Sequence, residues 1–139
     1  MIRPGTPADL PAIDTFDPFG DSRADEVAAG RLTVFGQAGR VVGFLSVATD
    51  ALLGHPFVSY LAVAPDARRT GVGSALLADT ERRHAGRRLV ISTEETNAPM
   101  RALLAGRGYT VSGVLHGLNG DGPAEVFYYK DCSRFDLRS

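Results

Sequence analysis

The stretch VAPDARRTGVGSALLADTERR, Val63 to Arg83, decides the reading. It places Arg68-Arg69-Thr70-Gly71-Val72-Gly73 directly ahead of a leucine-bearing helical run. One glycine is enough for a turn, so the second needs another reason. A helix N-terminus carries about half a positive charge and four unpaired backbone N–H groups. A strand that feeds a glycine-containing loop into such a helix makes an anion site, above all for phosphate. Without Cβ atoms at Gly71 and Gly73, the amides from Arg69 to Ser74 would wrap one diphosphate. Arg68 and Arg69 would add full charges beside it. The same residues also fit a plain turn with a solvated basic face. Two nucleotide sites are excluded. There is no G-x-x-x-x-G-K-[ST] phosphate loop, and no G-x-G-x-x-G follows the first strand.

Outward from this motif the chain alternates strands and helices. MIR starts a strand. TPADLPAID reads as a helix entered through Thr6 with Pro7 in its first turn. FDPFGDS is a loop carrying two aromatics, and RADEVAAG is a short helix stopped at Gly30. RLTVFGQAGRVVGFLSVAT reads as a hairpin turning near Gln37-Ala38-Gly39, and ALLGHP as a loop. FVSYLAVAP is a β-branched and aromatic strand closed by Pro65. The helix after the motif runs to about His84, and RRLVIST is the next strand. NAPMRALLAGRGY is a helix with Asn97 or Ala98 at its cap, Pro99 in its first turn, and Gly106 or Gly108 at its stop. TVSGVLHGL, with His116 on it, and AEVFYYKD are two final strands around NGDGP. This order implies an α+β sheet with helices on its faces.

The 139 residues are 44% hydrophobic and 22% charged, which fits one domain spanning 1–139 with a sizeable core. The net charge of -1 conceals an uneven distribution. Eight arginines face four acids between Arg68 and Arg107, whereas seven acids face four arginines between Met1 and Tyr60. The balanced total and the lack of a nucleic-acid motif count against nucleic-acid binding. Cys132 is the one cysteine, so no internal disulfide forms, which fits a reducing compartment. The opening MIRPGTPADLPAID lacks the apolar run of a signal peptide. No stretch approaches the roughly 20 apolar residues of a membrane span. The expectation is a cytoplasmic protein, monomer or homodimer, in which the final YYKDCSRFDLRS would pair or exchange across a dimer. No cluster has metal-ligand spacing.

LAVAPDARRTGVGSALL resembles the coenzyme A-binding motif of the GCN5-related N-acetyltransferase (GNAT) superfamily. That motif is an apolar strand ending in L-x-V, a Pro-bearing turn, then [RQ]-x-x-G-x-[GA] opening a helix. Arg68, Gly71 and Gly73 fill its three defining places. IRPGTPADLPAI is similar to the family's first strand and helix, VVGFLSV to its third strand, and NAPMRALLAGRGY to its later Asn-to-Gly-aromatic segment. The resemblance implies a largely antiparallel mixed sheet whose fourth and fifth strands are parallel and splay apart. Acyl-CoA would lie in that gap. Its pantetheine would pair with the edge of Leu61, Ala62 and Val63, and its pyrophosphate would sit on the amides of Arg69, Thr70, Gly71, Val72, Gly73 and Ser74 beside Arg68. Asn97 would reach the cofactor or simply cap its helix. An N–H near Val63 would polarise the thioester carbonyl.

The implied reaction is attack of a primary amine on acetyl-CoA, with no metal. The amine would be a small molecule, a protein N-terminus or a lysine. The family's usual tyrosine acid falls at Leu104, which has no proton to donate, and Tyr109 fills an aromatic packing place. The usual glutamate base falls near Ser59 and Tyr60. Ser59 acting through a water, Glu94 and His116 are therefore the catalytic candidates. Phe16, Asp17, Phe19 and Asp21 in the loop between the first two helices suit a cationic amine with an apolar body. With both usual groups missing, a non-catalytic acyl-CoA-binding or protein-interaction module of the same fold is the alternative.

Overall fold

Local chemistry sets each element of the computed structural model, which describes residues 1–133. Residues 134–139, and with them half of the expected C-terminal exchange segment, lie outside the described residues. The chain divides into two compact units, one of Met1–Ala48 with Val58–Thr80, the other of Thr49–Phe57 with the chain from Glu81 on.

In the first unit, strand β1 (Ile2–Pro4) pairs antiparallel with β2 (Leu32–Gln37), and β2 with β3 (Arg40–Leu52). The β2–β3 turn falls at Ala38 and Gly39, with φ of 52° and 76°, as the sequence predicts. Thr6 opens a 3-10 turn, Pro7–Asp9, that runs into helix α1 (Leu10–Asp14). The Asp9 carboxylate accepts from the Thr6 backbone N–H at 2.8 Å, as a capping box requires. It also takes two 2.8 Å bonds from Arg3, which hold it down to a pKa of about 2. Helix α2 (Ala24–Ala28) ends ahead of Gly30, whose φ is 70°.

The core of this unit gathers Ile13, Leu32, Val34, Val41, Phe44 and Ala62, with Phe16, Val27 and Tyr60 packed against it. Each fully buried large side chain contributes roughly 1.5–3 kcal/mol. Strand β4 (His55–Val63) ends in this unit, where the Ala64 N–H donates to the Val42 carbonyl at 2.8 Å.

The expected ALLGHP loop is corrected. Strand β3 runs through Leu52 and β4 begins at His55, so the connection is the two residues Leu53-Gly54. Their φ values of 51° and 83° belong to a tight hairpin turn. A leucine in that place, 99% exposed, hid the turn from the sequence.

The second unit holds β5 (Arg88–Glu94), helix α4 (Ala98–Gly106), β6 (Thr110–Leu115) and β7 (Glu125–Asp131). Strand β7 lies between β5 and β6, antiparallel to both. Leu89, Ile91, Val126 and Tyr128 are buried, alternating along their strands as a half-covered sheet demands. Strand β6 stops at Leu115, so His116 lies just beyond it rather than on it. The expected strand, TVSGVLHGL, meets Gly117 at φ 87°, a left-handed conformation that ends the extended run.

Candidate functional site

After β4 the chain takes a 3-10 turn at Pro65–Ala67 and reaches helix α3, Val72–Arg83. Arg68 is extended, but Arg69 turns left-handed with φ 65°, and Gly71 does so with φ 87°. For an arginine that conformation costs roughly 1–2 kcal/mol. The sequence assigned the sharp turning to the glycines and gave no sign that Arg69 shares it.

The Ala75 N–H closes the first helical bond, onto the Gly71 carbonyl at 2.9 Å. The amides of Val72 and Gly73 precede that bond, so the helix supplies them with no carbonyl. Arg68, Arg69, Thr70 and Gly71 are exposed, and a Cβ built on Gly71 meets nothing within 4 Å. The turn is held from within: Arg68 Nε donates to the Val63 carbonyl at 3.3 Å, and Thr70 Oγ1 donates to the Ala67 carbonyl. Outside the motif, Arg40 pairs with Asp66 at 2.7 Å. The arrangement is an open, positively charged helix start at the end of a strand, which suits a phosphate-bearing ligand.

Gly43 on β3 is part of this construction, and the sequence did not single it out. A Cβ there would lie 2.7 Å from Val72 Cγ1 and 3.2 Å from Leu76 Cδ1. The missing side chain lets the first turn of α3 sit directly on the sheet. Val72, Leu76 and Leu77, all buried, supply the helix's inner face.

The other predicted residues are distributed as follows. Leu61 and Ala62 are buried on β4 and Val63 is half-buried, with Gly73 and Ser74 half-buried on α3. Ser59 is half-buried and, by strand alternation, faces away from Tyr60. In the acceptor loop, Phe16 packs 5.9 Å from Phe44, which makes it a wall of the core. Phe19 is 44% exposed and packs at a tilt against Tyr60, the ring centroids 5.0 Å apart. Asp17 lines a cavity of about 290 Å³ with Asp14, Gly20, Asp21 and Ser22. The sequence had named Asp17 and Asp21 but not Asp14.

In the second unit, Glu94 and His116 are exposed. Asn97 caps α4, its Oδ1 accepting from the Met100 N–H at 3.2 Å.

Leu104, where the sequence expects the family's usual tyrosine to fall, is fully buried. Tyr109 is 7% exposed, and its hydroxyl donates to Glu81 at 2.9 Å. Burial, then the Glu81 charge, raises the Tyr109 pKa far above the ordinary phenol value, so this proton stays in place. Glu81 itself is 2% exposed. Burial pushes its carboxyl up, but bonds from Arg107 at 2.6 Å, Lys130 at 3.0 Å and Tyr109 more than offset this and keep it ionised. This cluster ties α3, β7 and the α4–β6 connection together and leaves Tyr109 a structural group.

A mixed α+β fold with a phosphate-suited strand–turn–helix defines the acyl-CoA-using transferases of the class the sequence resembles. The chain belongs to the Acetyltransferase (GNAT) family, which it matches over residues 6–109. It is an N-acetyltransferase by that membership, and the family's co-substrate is acetyl-CoA.

Among solved structures it is similar to a GNAT-family acetyltransferase from Bacillus cereus, at 26% identity and TM-score 0.84 over 96% of this chain and 98% of that one. It is similar to the ribosomal-protein-S18-alanine N-acetyltransferase from Escherichia coli at 23% identity and TM-score 0.75, over 96% and 94%. NAA60 from Arabidopsis thaliana, solved with a bisubstrate analogue, matches at 18% identity and TM-score 0.77, over 94% and 96%. No curated protein matches the chain. Among the described residues no helix is long and apolar enough to cross a membrane, and no group of three or more His, Cys, Asp or Glu would hold a metal ion.

Proposed function

We propose that this chain moves an acetyl group from acetyl-CoA to a primary amine in the cytoplasm. The observation that carries the reading is the exposed Arg68–Gly71 turn at the start of α3, with its two left-handed residues and two arginines. The pyrophosphate lies against the amides of residues 69–74 and the Arg69 side chain. The Arg68 side chain, bonded to the Val63 carbonyl, braces the strand end where the thioester arrives. The pantetheine follows Leu61, Ala62 and Val63. Asn97 keeps its side-chain NH2 for the ligand while its Oδ1 caps α4.

The acceptor amine arrives over the Phe19–Tyr60 pair, near the acids of the 290 Å³ cavity. Its neutral nitrogen attacks the thioester carbonyl, the C–S bond breaks, and the nitrogen loses a proton as the thiolate leaves. Positioning alone supplies up to ~7–11 kcal/mol of such a barrier, so transfer does not need the tyrosine that Leu104 replaces. Ser59 through a water, Glu94 and His116 are the proposed proton carriers.

The acceptor class is a cationic small amine, or a protein N-terminus or lysine presented by a flexible peptide. The acids at 14, 17 and 21 support the cationic choice. The test is release of free CoA thiol from acetyl-CoA across a panel of amines and peptides, with mass spectrometry of the product. Acetylated amine formed in step with thiol supports the reading. Thiol release that is no faster with any amine than without contradicts it.

A further inference from the structure

Arg23 stands immediately before α2 and is fully buried. Its guanidinium carbon lies 3.8 Å from the centroid of the Tyr60 ring. Phe19 packs on the same ring, so Tyr60 carries the middle and the far end of the loop between α1 and α2. Arg23 Nε is 3.1 Å from Asp17 Oδ2, and Nη1 donates to Glu26 Oε1 at 3.2 Å. Asp17 Oδ1 in turn accepts from the Phe19 N–H at 2.8 Å.

The cluster is not optimised for stability. Arg23 Nε and Nη2, Asp17 Oδ2 and Glu26 Oε2 are all buried without a well-directed hydrogen bond among the described residues. Unmade bonds on buried charges are destabilising, and apolar residues of similar size would commonly serve a core as well or better. What an arginine adds is direction. Its planar fork stacks on an aromatic face while reaching two carboxylates, which fixes the loop relative to a strand.

The strand it fixes the loop to is β4, and Tyr60 sits between Ser59 and Leu61. Asp17, one of its carboxylate partners, lines the 290 Å³ cavity.

We propose that Arg23 is a positioning residue for the acceptor: it latches the Phe16–Ser22 loop onto Tyr60 and holds the cavity's acids at a fixed place beside β4. The inference rests on the acetyltransferase reading above. The donor turn at 68–74 shares none of the latch contacts, which involve Asp17, Phe19, Arg23, Glu26 and Tyr60. Arg23→Lys keeps the charge and removes the planar stack, and Arg23→Met removes the charge while keeping most of the length of the side chain.

The test is initial-rate kinetics on full-length protein with each substrate varied, joined to amide hydrogen exchange. Both variants are expected to raise the acceptor KM about thirtyfold, the size of one desolvated cation–π contact. The acetyl-CoA KM and kcat stay within about twofold, the scatter allowed to contacts outside the network. An unchanged acceptor KM in folded variants overturns the latch, and so does an equal rise in both KM values.

Failure of the enzyme reading shows separately, as wild-type protein that turns over no amine. Amide exchange then decides: faster exchange across residues 16–22 in both variants, with β2 and β3 unchanged, supports the latch. Unchanged exchange in that loop overturns it.

Discussion

At Arg69 a residue with a Cβ holds a left-handed φ of 65°, two positions before a glycine that does the same at 87°. Such strain persists only where the surrounding structure imposes it, and it gathers at ligand sites. Asparagine tolerates this conformation better than most residues. Arg69→Asn is therefore expected to leave the melting temperature unchanged or slightly raised. At the same time it should weaken acetyl-CoA binding by about 1.5–3 kcal/mol, the range of a charge-assisted contact. Thermal melting with and without ligand checks both. A variant that loses stability but keeps its affinity would assign Arg69 to the fold instead. The sequence showed the glycines and the charge here, because both are local. It did not show that an arginine shares the turning, because φ at a non-glycine is set by neighbours in space.

At the element scale, the donor turn depends on how α3 meets β3. Gly43→Ala would press a methyl group into Val72 and Leu76, two contacts of 2.7 and 3.2 Å. Overpacking of this kind costs about 1–3 kcal/mol. Because Val72 is the first residue of α3, the same variant is expected to weaken acetyl-CoA binding without touching the ligand. A melting temperature lowered together with affinity fits this account, and wild-type affinity contradicts it.

The Thr6–Asp9 capping box and its Arg3 clamp make a second prediction. Asp9 has its pKa lowered from 3.8 to about 2, so the folded state binds the proton less readily than the unfolded chain. That stability is fully present above about pH 4 and is lost as the pH falls through about 2. Arg3 is 38% exposed, so solvent screening reduces the contribution to about 1 kcal/mol. Asp9→Asn should remove this part of the acid limb of a stability-against-pH curve. An unchanged acid limb in the variant would rule the clamp out.

Across the whole molecule, what the sequence made legible was what is periodic or local. The strand–turn–helix of the donor site, the capped helices and the order of elements follow from glycine, proline and alternation along the chain. The family match over residues 6–109 takes in residues of both units and agrees with that reading.

What stayed hidden depends on residues far apart in sequence. Arg23 was only the first residue of the RADEVAAG run, whereas in the structure it lies against the Tyr60 ring. Glu81 counted only as one acid among the arginines of the middle stretch, yet Arg107, Tyr109 and Lys130 enclose it. The β3–β4 hairpin was missed because a leucine occupies a turn position that sequence reading gives to glycine or asparagine.

The central claim is that the open turn at 68–74 holds the pyrophosphate of acetyl-CoA. Calorimetric titration of acetyl-CoA into wild-type protein and into Gly71→Ala and Gly71→Glu tests it most directly. Both variants place a side chain at φ 87°, so they share a backbone cost of roughly 1–2 kcal/mol, and the space around them is open. Their difference therefore reports charge at the turn. The account predicts binding to wild type, modest weakening in Gly71→Ala, and at least about a hundredfold further loss in Gly71→Glu, as two anions brought close in a partly desolvated site require. Equal affinities in the two variants, or no binding to wild-type protein, would contradict it.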